Sequence, residues 1–257
     1  MSAVNLAVRC LILTLIVSIV CTAVFAEPQN EDALRISIGT GKEAEGGEGL
    51  SLPLRIVLLL TLLTFLPAIL ISMTSFTRII VVAHFLRQAL GTQQSPNNQI
   101  LLGLALFLTL FVMGPVWDEI YRTAVVPYQE GRLDELEAVG RAQEPLREFM
   151  LKQVREEDLA LFVRLGKLPR PKSSQDLPTR VIVPAFMISE LKTAFQIGFV
   201  LFLPFLVIDM VVSSVLLSMG MLQLPPMMIS MPFKVLLFIL VDGWRLIVGS
   251  LIESFRF

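Results

Sequence analysis

The side chains in this sequence that could do chemistry are ionisable groups placed deep inside apolar stretches. They are Glu190, Lys192 and Asp209 in one stretch, and Lys234, Asp242 and Arg245 in another. A charge at bilayer depth costs a few kcal/mol or more, so such groups usually face protein or a water-filled path. The sequence therefore predicts a subunit of a larger membrane-associated assembly built around something polar.

The spacing of these ionisable groups along a helix decides which of them can pair with each other. Glu190 and Lys192 are two residues apart, so they point to different sides of a helix and each needs another partner. We expect inter-subunit contacts here, with Arg155 of a neighbouring copy as a candidate partner for Glu190; a solvated helix start is the alternative. The sequence predicts a buried ion pair between Asp209 and Lys234. Proton coupling is an alternative for this pair, but no relay of ionisable groups supports it.

The sequence contains no recognisable catalytic set. Its single histidine, His84, lies between two apolar residues and is typical of packing, and the common hydrolase, metalloprotease and phosphate-binding motifs are missing. Both cysteines, Cys10 and Cys21, fall in the N-terminal apolar segment. We therefore predict no enzyme activity, no cofactor and no metal site.

The elements that carry these groups are predicted to be membrane-associated helices. Of the 257 residues, 54% are hydrophobic, and the mean hydropathy is +0.74. Ile56–Thr77 runs 22 residues without a charge and Ile100–Val116 runs 17, lengths that suit a bilayer core. No strand pattern is visible, so the fold class is all-α. A net charge of −1 gives no reason to expect nucleic acid.

Composition divides the chain into five predicted parts. They are a signal peptide at 1–26, a flexible acidic lead-in at 27–49, a first hydrophobic helical hairpin at 50–117, a small periplasmic helical domain at 118–183, and a second hydrophobic helical hairpin at 184–257. Val24-Phe25-Ala26 offers the cleavage site; an uncleaved anchor helix is the alternative.

Charge around the first hairpin predicts its orientation. Arg78, His84 and Arg87 lie between its two apolar spans, where no acid occurs, so the positive-inside rule puts this connection in the cytoplasm. Alternation then places residues 118–180 outside. Short amphipathic helices are predicted there, one beginning at Glu144-Pro145 and one around Leu159.

Several long segments resemble the FliP family of flagellar export-gate proteins. They are Thr74–Ile79, Leu86–Gln93, Gly103–Thr109, Pro184–Phe195, Pro204–Val212 and Leu240–Trp244. Two departures stand out. Pro96-Asn97-Asn98-Gln99 replaces the family's Pro-Pro-Asn-Gln, and Gly220-Met221-Leu222-Gln223 replaces its methionine-rich turn.

The resemblance implies a core subunit of the flagellar type III export gate in the bacterial inner membrane. It implies a ring of copies (a pentamer) that joins FliQ- and FliR-type subunits and larger gate components at the flagellar basal body. Such a helical oligomer surrounds the conduit for unfolded flagellar proteins. Its apolar helices are then buried against neighbouring subunits and displaced toward the periplasm.

Methionines near the charge-free turn of the second hairpin are candidates for the pore. Because methionine is flexible and polarizable, Met219 and Met221 could form a constriction that closes around different polypeptides. Gap-filling within the hairpin is the alternative, and it remains equally open for Met227, Met228 and Met231.

Three other functions remain to be weighed. An injectisome export-gate subunit for effector secretion is the nearest. A small transporter or channel is disfavoured because no internal repeat occurs, and a membrane enzyme is disfavoured because no catalytic set is visible.

Overall fold

The computed structural model describes residues 52–92, 95–169, 173, 176–221 and 223–255. All regular structure within these ranges is helical, which confirms the all-α prediction for this part of the chain. The predicted signal peptide at 1–26 and the whole of the acidic lead-in at 27–49 lie outside the described residues, so both remain predictions.

Ten α-helices and one π-helical turn follow in order along the described residues. They are α1 Leu52–Ser72, α2 Phe76–Leu90, α3 Asn98–Val112, α4 Gly114–Ile120, the π turn Tyr121–Val125, α5 Val126–Gln129, α6 Glu135–Gln153, α7 Glu156–Leu165, α8 Thr179–Ser218, α9 Pro226–Leu240 and α10 Gly243–Glu253. Contacts divide the chain into two compact units at Pro67, within α1. All the packing described below lies in the second unit, Ala68–Phe257.

Apolar stretches that the sequence reads as continuous are interrupted in the structure. The stretch Ile100–Val116 changes direction by 56° at the junction of α3 and α4, where Pro115 starts a new helix because proline lacks the N–H that would continue the old one. The last stretch bends by 67° between α9 and α10. Asp242 makes that bend in the left-handed conformation, at φ 51°.

The long helix α8 is the exception. It runs unbroken for 40 residues through Pro184 and Pro204, which at 1.5 Å per residue is about 60 Å, twice the thickness of a bilayer core. Among the described residues it is the one helix long and apolar enough to cross a membrane, and up to four crossings are counted if each bent helix pair is one span.

The core forms where α2 crosses the first half of α8. Ile79 and Val82 of α2 pack there with Ile182 and Phe186 of α8. The two helices come close at Gly198, where a Cβ would lie 2.5 Å from the Phe85 ring. Helix packing this tight requires a residue without a side chain.

Helices α6 and α7 confirm the two amphipathic helices predicted after residue 118, but α6 begins earlier than expected. It starts at Glu135 and continues through Pro145 instead of beginning there. Both helices pack against α8. By contacts, residues 118–183 belong to the unit Ala68–Phe257, and their assignment as a periplasmic domain stays a prediction.

The chain reverses after α8 at the position the sequence indicates. Gly220 adopts φ 74° just after the helix ends, and α9 begins at Pro226. This backbone conformation favours glycine. Helix α9 then packs back along α8 as the second arm of a hairpin.

Candidate functional site: ion pairs along the long helix and the apolar hairpin

Glu190 has a partner in its own chain, the guanidinium of Arg78. The Nε of Arg78 donates to Oε2 of Glu190 at 2.8 Å, and its Nη2 donates to Oε1 in a second, short hydrogen bond. Their side chains are 2% and 0% exposed, respectively. This two-point geometry is the strongest form of an arginine–carboxylate pair.

Arg78 also connects this pair to the end of α10. Its Nη1 donates to the carbonyl and the hydroxyl of Ser254, both at 2.9 Å, and the Phe255 ring lies 4.0 Å from its Cζ. Nη2 additionally reaches Gln153 at the end of α6, at 3.4 Å. One guanidinium therefore ties together α2, α6, α8 and the segment after α10.

This geometry bears on two sequence expectations. Arg78 satisfies Glu190 within the chain and Glu190 is fully buried, so it is not at a solvated helix start and does not need Arg155 of a neighbouring copy; whether it also contacts a second copy stays a prediction. Arg78 itself lies on α2 and is buried in the core, and the orientation predicted from the basic residues of this connection stays a prediction. The signal that could have found the pair was an unmatched arginine and an unmatched acid, each inside an apolar stretch.

Lys192 pairs with Asp158, at the start of α7. Its ammonium makes a short ion pair with one carboxylate oxygen, and the Ser189 hydroxyl donates to the other at 2.8 Å. Burial raises the pKa of Asp158, but the hydrogen bonds from Lys192 and Ser189 outweigh it, so the pKa lies below its usual value. Asp158 was not singled out from the sequence, where it is one of three consecutive acids in the first turn of α7.

Arg155 contacts the same stretch of α8 beside this pair. Its backbone N–H donates to the Ser189 hydroxyl at 3.1 Å, and its guanidinium donates to Gln196 at 2.6 Å and Thr193 at 3.3 Å. Arg155 and Lys192 therefore both hold α7 on α8 within one chain. Whether either also reaches a second copy stays a prediction.

Asp209 and Lys234 are brought together across the hairpin. Lys234 Nζ lies 2.6 Å from Asp209 Oδ2, and the buried Ser230 hydroxyl donates to Oδ1 at 2.6 Å. Lys234 also donates to the carbonyl of Ala89 at 3.2 Å. That carbonyl is at the C-terminal end of α2, where the helix dipole favours a cation.

The methionines of the hairpin turn project outward within the single chain. Met219 is 65% exposed and Met221 is 41% exposed. Met227, Met228 and Met231 are exposed too. Their exposure leaves them accessible at the turn, and the choice between a pore constriction and packing stays a prediction.

His84 lies near the end of α2 and is exposed. Its Nδ1 is 3.1 Å from Nη2 of Arg87. Among the described residues, no group of three histidine, cysteine or acidic side chains is arranged to hold a metal ion.

Within the described residues the regular structure is all helical, the longest helix is long and apolar enough to cross a membrane, and the buried charges are paired, which is typical of an α-helical membrane protein. The family model described as the FliP family matches residues 59–251. The chain belongs to this family.

Relatives from distant bacteria carry the same family name. A flagellar biosynthetic protein FliP from Pectobacterium carotovorum is 56% identical over 210 residues, which cover 82% of this chain and 81% of the relative. The Bacillus subtilis protein of that name is 56% identical over 81% of this chain and 94% of its own length. The Caulobacter vibrioides protein is 49% identical over 96% of this chain and 91% of its own length.

Proposed function

We propose that this chain is a core subunit of the flagellar type III protein export gate. With further copies of itself and with FliQ- and FliR-type subunits, it forms the conduit through which unfolded flagellar proteins leave the cytoplasm. It resides in the bacterial inner membrane at the flagellar basal body, largely toward the periplasmic side. Membership of the FliP family and the flagellar names of its relatives support the assignment.

The observation that carries this proposal is the uncovered apolar surface of the hairpin. Exposed apolar side chains line both arms; they are Leu206, Val207, Met210, Val211, Val215 and Leu217 on α8, and Met227, Met228, Phe233, Leu236, Ile239 and Leu240 on α9. A continuous surface of this kind marks contact with protein or lipid. Packing against neighbouring subunits of a helical oligomer covers it.

The turn of the hairpin supports a role at the conduit itself. Met219 and Met221 are exposed at the far end of α8, next to a turn without charge. In a ring, one such turn per copy brings several flexible thioether side chains together around the axis. They then form the constriction that closes around polypeptides of different sequence.

The flagellar names of the relatives favour this role over effector secretion by an injectisome. A small transporter or channel, the other alternative from the sequence, gains no support from the family assignment.

Complementation tests the export role. A flagellated host that lacks its own FliP-family gene is given this gene together with its FliQ- and FliR-type neighbours. Swimming and the release of flagellar subunits into the medium should return, and the detergent-extracted protein should run as a multi-subunit complex. A monomer or dimer that moves a small solute without restoring export would contradict the proposal.

Replacing Met219 and Met221 together with alanine tests the constriction. Truncation widens an apolar constriction, and such constrictions exclude ions by excluding water, so the assembled variant should leak ions. Met210→Ala is the matched control, because Met210 is also exposed but lies on the shaft of α8. An assembled double variant as tight as the parent would remove these residues from the pore.

A further inference from the structure

Two of the six ionisable groups that the sequence places inside apolar stretches have no partner within the chain. The other four are engaged in the ion pairs of α8 and of the hairpin. Asp242 and Arg245, at the start of α10, are both exposed. Within the part of the chain that the structure describes, neither side chain makes an ion pair or a hydrogen bond.

The start of α10 gives neither charge a local role. Asp242 holds the N-cap position, where an aspartate usually accepts from backbone N–H groups, but its side chain makes no such bond. It also adopts φ 51°, a conformation that costs energy in a residue other than glycine. Arg245 lies in the first turn of the helix, where the helix dipole favours an acid and not a base.

The surface around these two charges is apolar. Leu240 is 73% exposed, Leu246 is 57% exposed and Trp244 is 42% exposed. An exposed apolar surface of this kind is covered by protein or lipid. A charge covered together with it has to be paired, because a buried charge without a counter-charge is strongly destabilising. The occupant of this surface therefore has to bring charges as well as apolar groups.

Helix α10 presents Arg245 on the side away from the core. Leu251 is part of the core and Ile247 packs against it. Arg245 and Gly249, four residues apart, lie on the other side of the helix. A Cβ on Gly249 would meet no atom within 4 Å, so this side is open. A small residue next to Arg245 lets another helix approach closely.

We propose that Asp242 of one copy forms an ion pair with Arg245 of the next copy. The surface carries one charge of each sign, so the same surface of a second copy offers the complement of both. The two residues are three positions apart, so neighbouring parallel helices need an axial offset of only about 4.5 Å. Because an acid meets a base, the contact is head-to-tail and repeats around a ring.

This inference rests on the proposed function, since it names a contact by which the copies of the gate subunit join. Other occupants can be imagined. Lipid headgroups could cover both charges, a FliQ- or FliR-type subunit could pair with them, or the two could pair with each other, since they are within reach along a helix. None of these depends on the charge that a neighbouring copy carries, and the test uses this difference.

Mixing two charge-reversed copies tests the pairing between copies. Asp242→Lys alone and Arg245→Glu alone should each lower the yield of complex by at least about tenfold, because every contact in the ring becomes repulsive. The two variants, differently tagged and expressed together, should form mixed complexes in which opposite charges meet again. Their yield should return to within about twofold of the parent's. Pairing within one chain cannot be restored by mixing, because each chain still carries two like charges.

Two further variants control for folding and for charge alone. Lysine is accommodated at this backbone conformation elsewhere in the chain, at Lys167 with φ 49°. Asp242→Asn removes the charge with little change of shape and should lower the yield by about two- to fivefold. Glu253→Lys reverses an exposed, unpaired acid about 12 Å further along α10 and should have no effect. The dissociated chain should keep the parent's melting temperature in all variants, since these side chains are exposed.

The outcomes separate this inference from the proposed function. If the parent forms a complex and restores export, but the reversed variants assemble normally or mixing restores nothing, Asp242 and Arg245 do not join the copies. An equal loss for Glu253→Lys would also overturn the inference, because the effect would then follow the net charge of α10. If the parent itself forms no complex, the proposed function fails, and the inference fails with it.

Discussion

The two halves of α8 differ in how their side chains are covered. In the first half, Glu190 and Lys192 point to different sides of the helix, and each is paired within the chain, to Arg78 and Asp158 respectively. In the second half, Asp209 is the one acid, and most of the apolar side chains around it are exposed. The first half is therefore covered by other helices of the same chain, whereas the exposed surface of the second half has to be covered by lipid or by other subunits.

The difference teaches where charge is used inside an apolar chain. Around Glu190, ion pairs join helices that are far apart in sequence, and the apolar core closes over them. In the hairpin, Asp209 and Lys234 join two consecutive helices and leave the outer surface free for contact. Stability of the isolated chain should therefore depend mainly on the first half of α8, and assembly mainly on the second.

The largest expected effect comes from breaking the buried pair in the first half. Glu190→Ala leaves the Arg78 guanidinium buried without its counter-charge, which should cost about 3–5 kcal/mol of folding free energy. Denaturant unfolding of the detergent-solubilised protein measures this, with the exposed Glu157→Ala as control. An unchanged monomer with weaker assembly would instead support an inter-subunit role for Glu190.

A smaller effect is expected where α2 crosses α8. Gly198→Ala places a methyl group 2.5 Å from the Phe85 ring, so the helices must move apart, and we expect a loss of about 1–3 kcal/mol. Gly103→Ala is the matched control, since no atom lies within 4 Å of a Cβ there. Equal melting temperatures for the two variants would show that the crossing is looser than described.

In the second half, Lys234→Met should cost less than the loss of Glu190. It removes the ammonium, but Asp209 keeps its hydrogen bond from Ser230, and its side chain is 35% exposed to solvent. We expect a loss of about 1–2 kcal/mol, below the range for a fully buried pair. Lys152→Met, whose pair with Glu148 is exposed on both sides, is the control. A loss larger than that of Glu190→Ala would reverse the ranking of the two halves.

The smallest expected effect is a loss of folding stability at acidic pH. The pKa of Asp158 is lower in the folded chain than in the unfolded chain, so its stabilising contribution is present at neutral pH and disappears as the pH falls below about 4. Because Lys192 is half exposed, we expect no more than about 1 kcal/mol. The unfolding free energies of the parent and Asp158→Asn should therefore differ at pH 7, and the difference should shrink as the pH falls below about 4 through the lowered pKa of the folded chain. A constant difference would mean that the carboxylate charge is not what stabilises α7 on α8.

The sequence was sufficient for what depends on local chemistry. The apolar stretches predicted the helical character of α1–α3 and α8–α10, Gly220 and Pro226 placed the turn between α8 and α9, and the charges within α8 and α9 predicted that these groups would need partners. Such features are set by neighbouring residues.

The partner of Glu190 could not be predicted in this way. Arg78 is 112 residues away along the chain, and from the sequence alone it served only as one of the basic residues that orient the first hairpin. The bend at Asp242 was missed for a related reason. A non-glycine residue at positive φ is held there by its surroundings, not by its own preference.

The contact between Arg78 and Ser254 also bears on when this protein can fold. The two residues are 176 positions apart, so the ribosome must synthesise almost the whole second compact unit before the guanidinium of Arg78 finds all its acceptors. Contacts between residues so far apart in sequence slow folding. Polar groups in the early segments stay without their partners until the late segments have been made. Until Ser254 emerges, the nascent chain carries an arginine that the mature core will bury, so the hydrogen bonds that close the core around it are among the last to form.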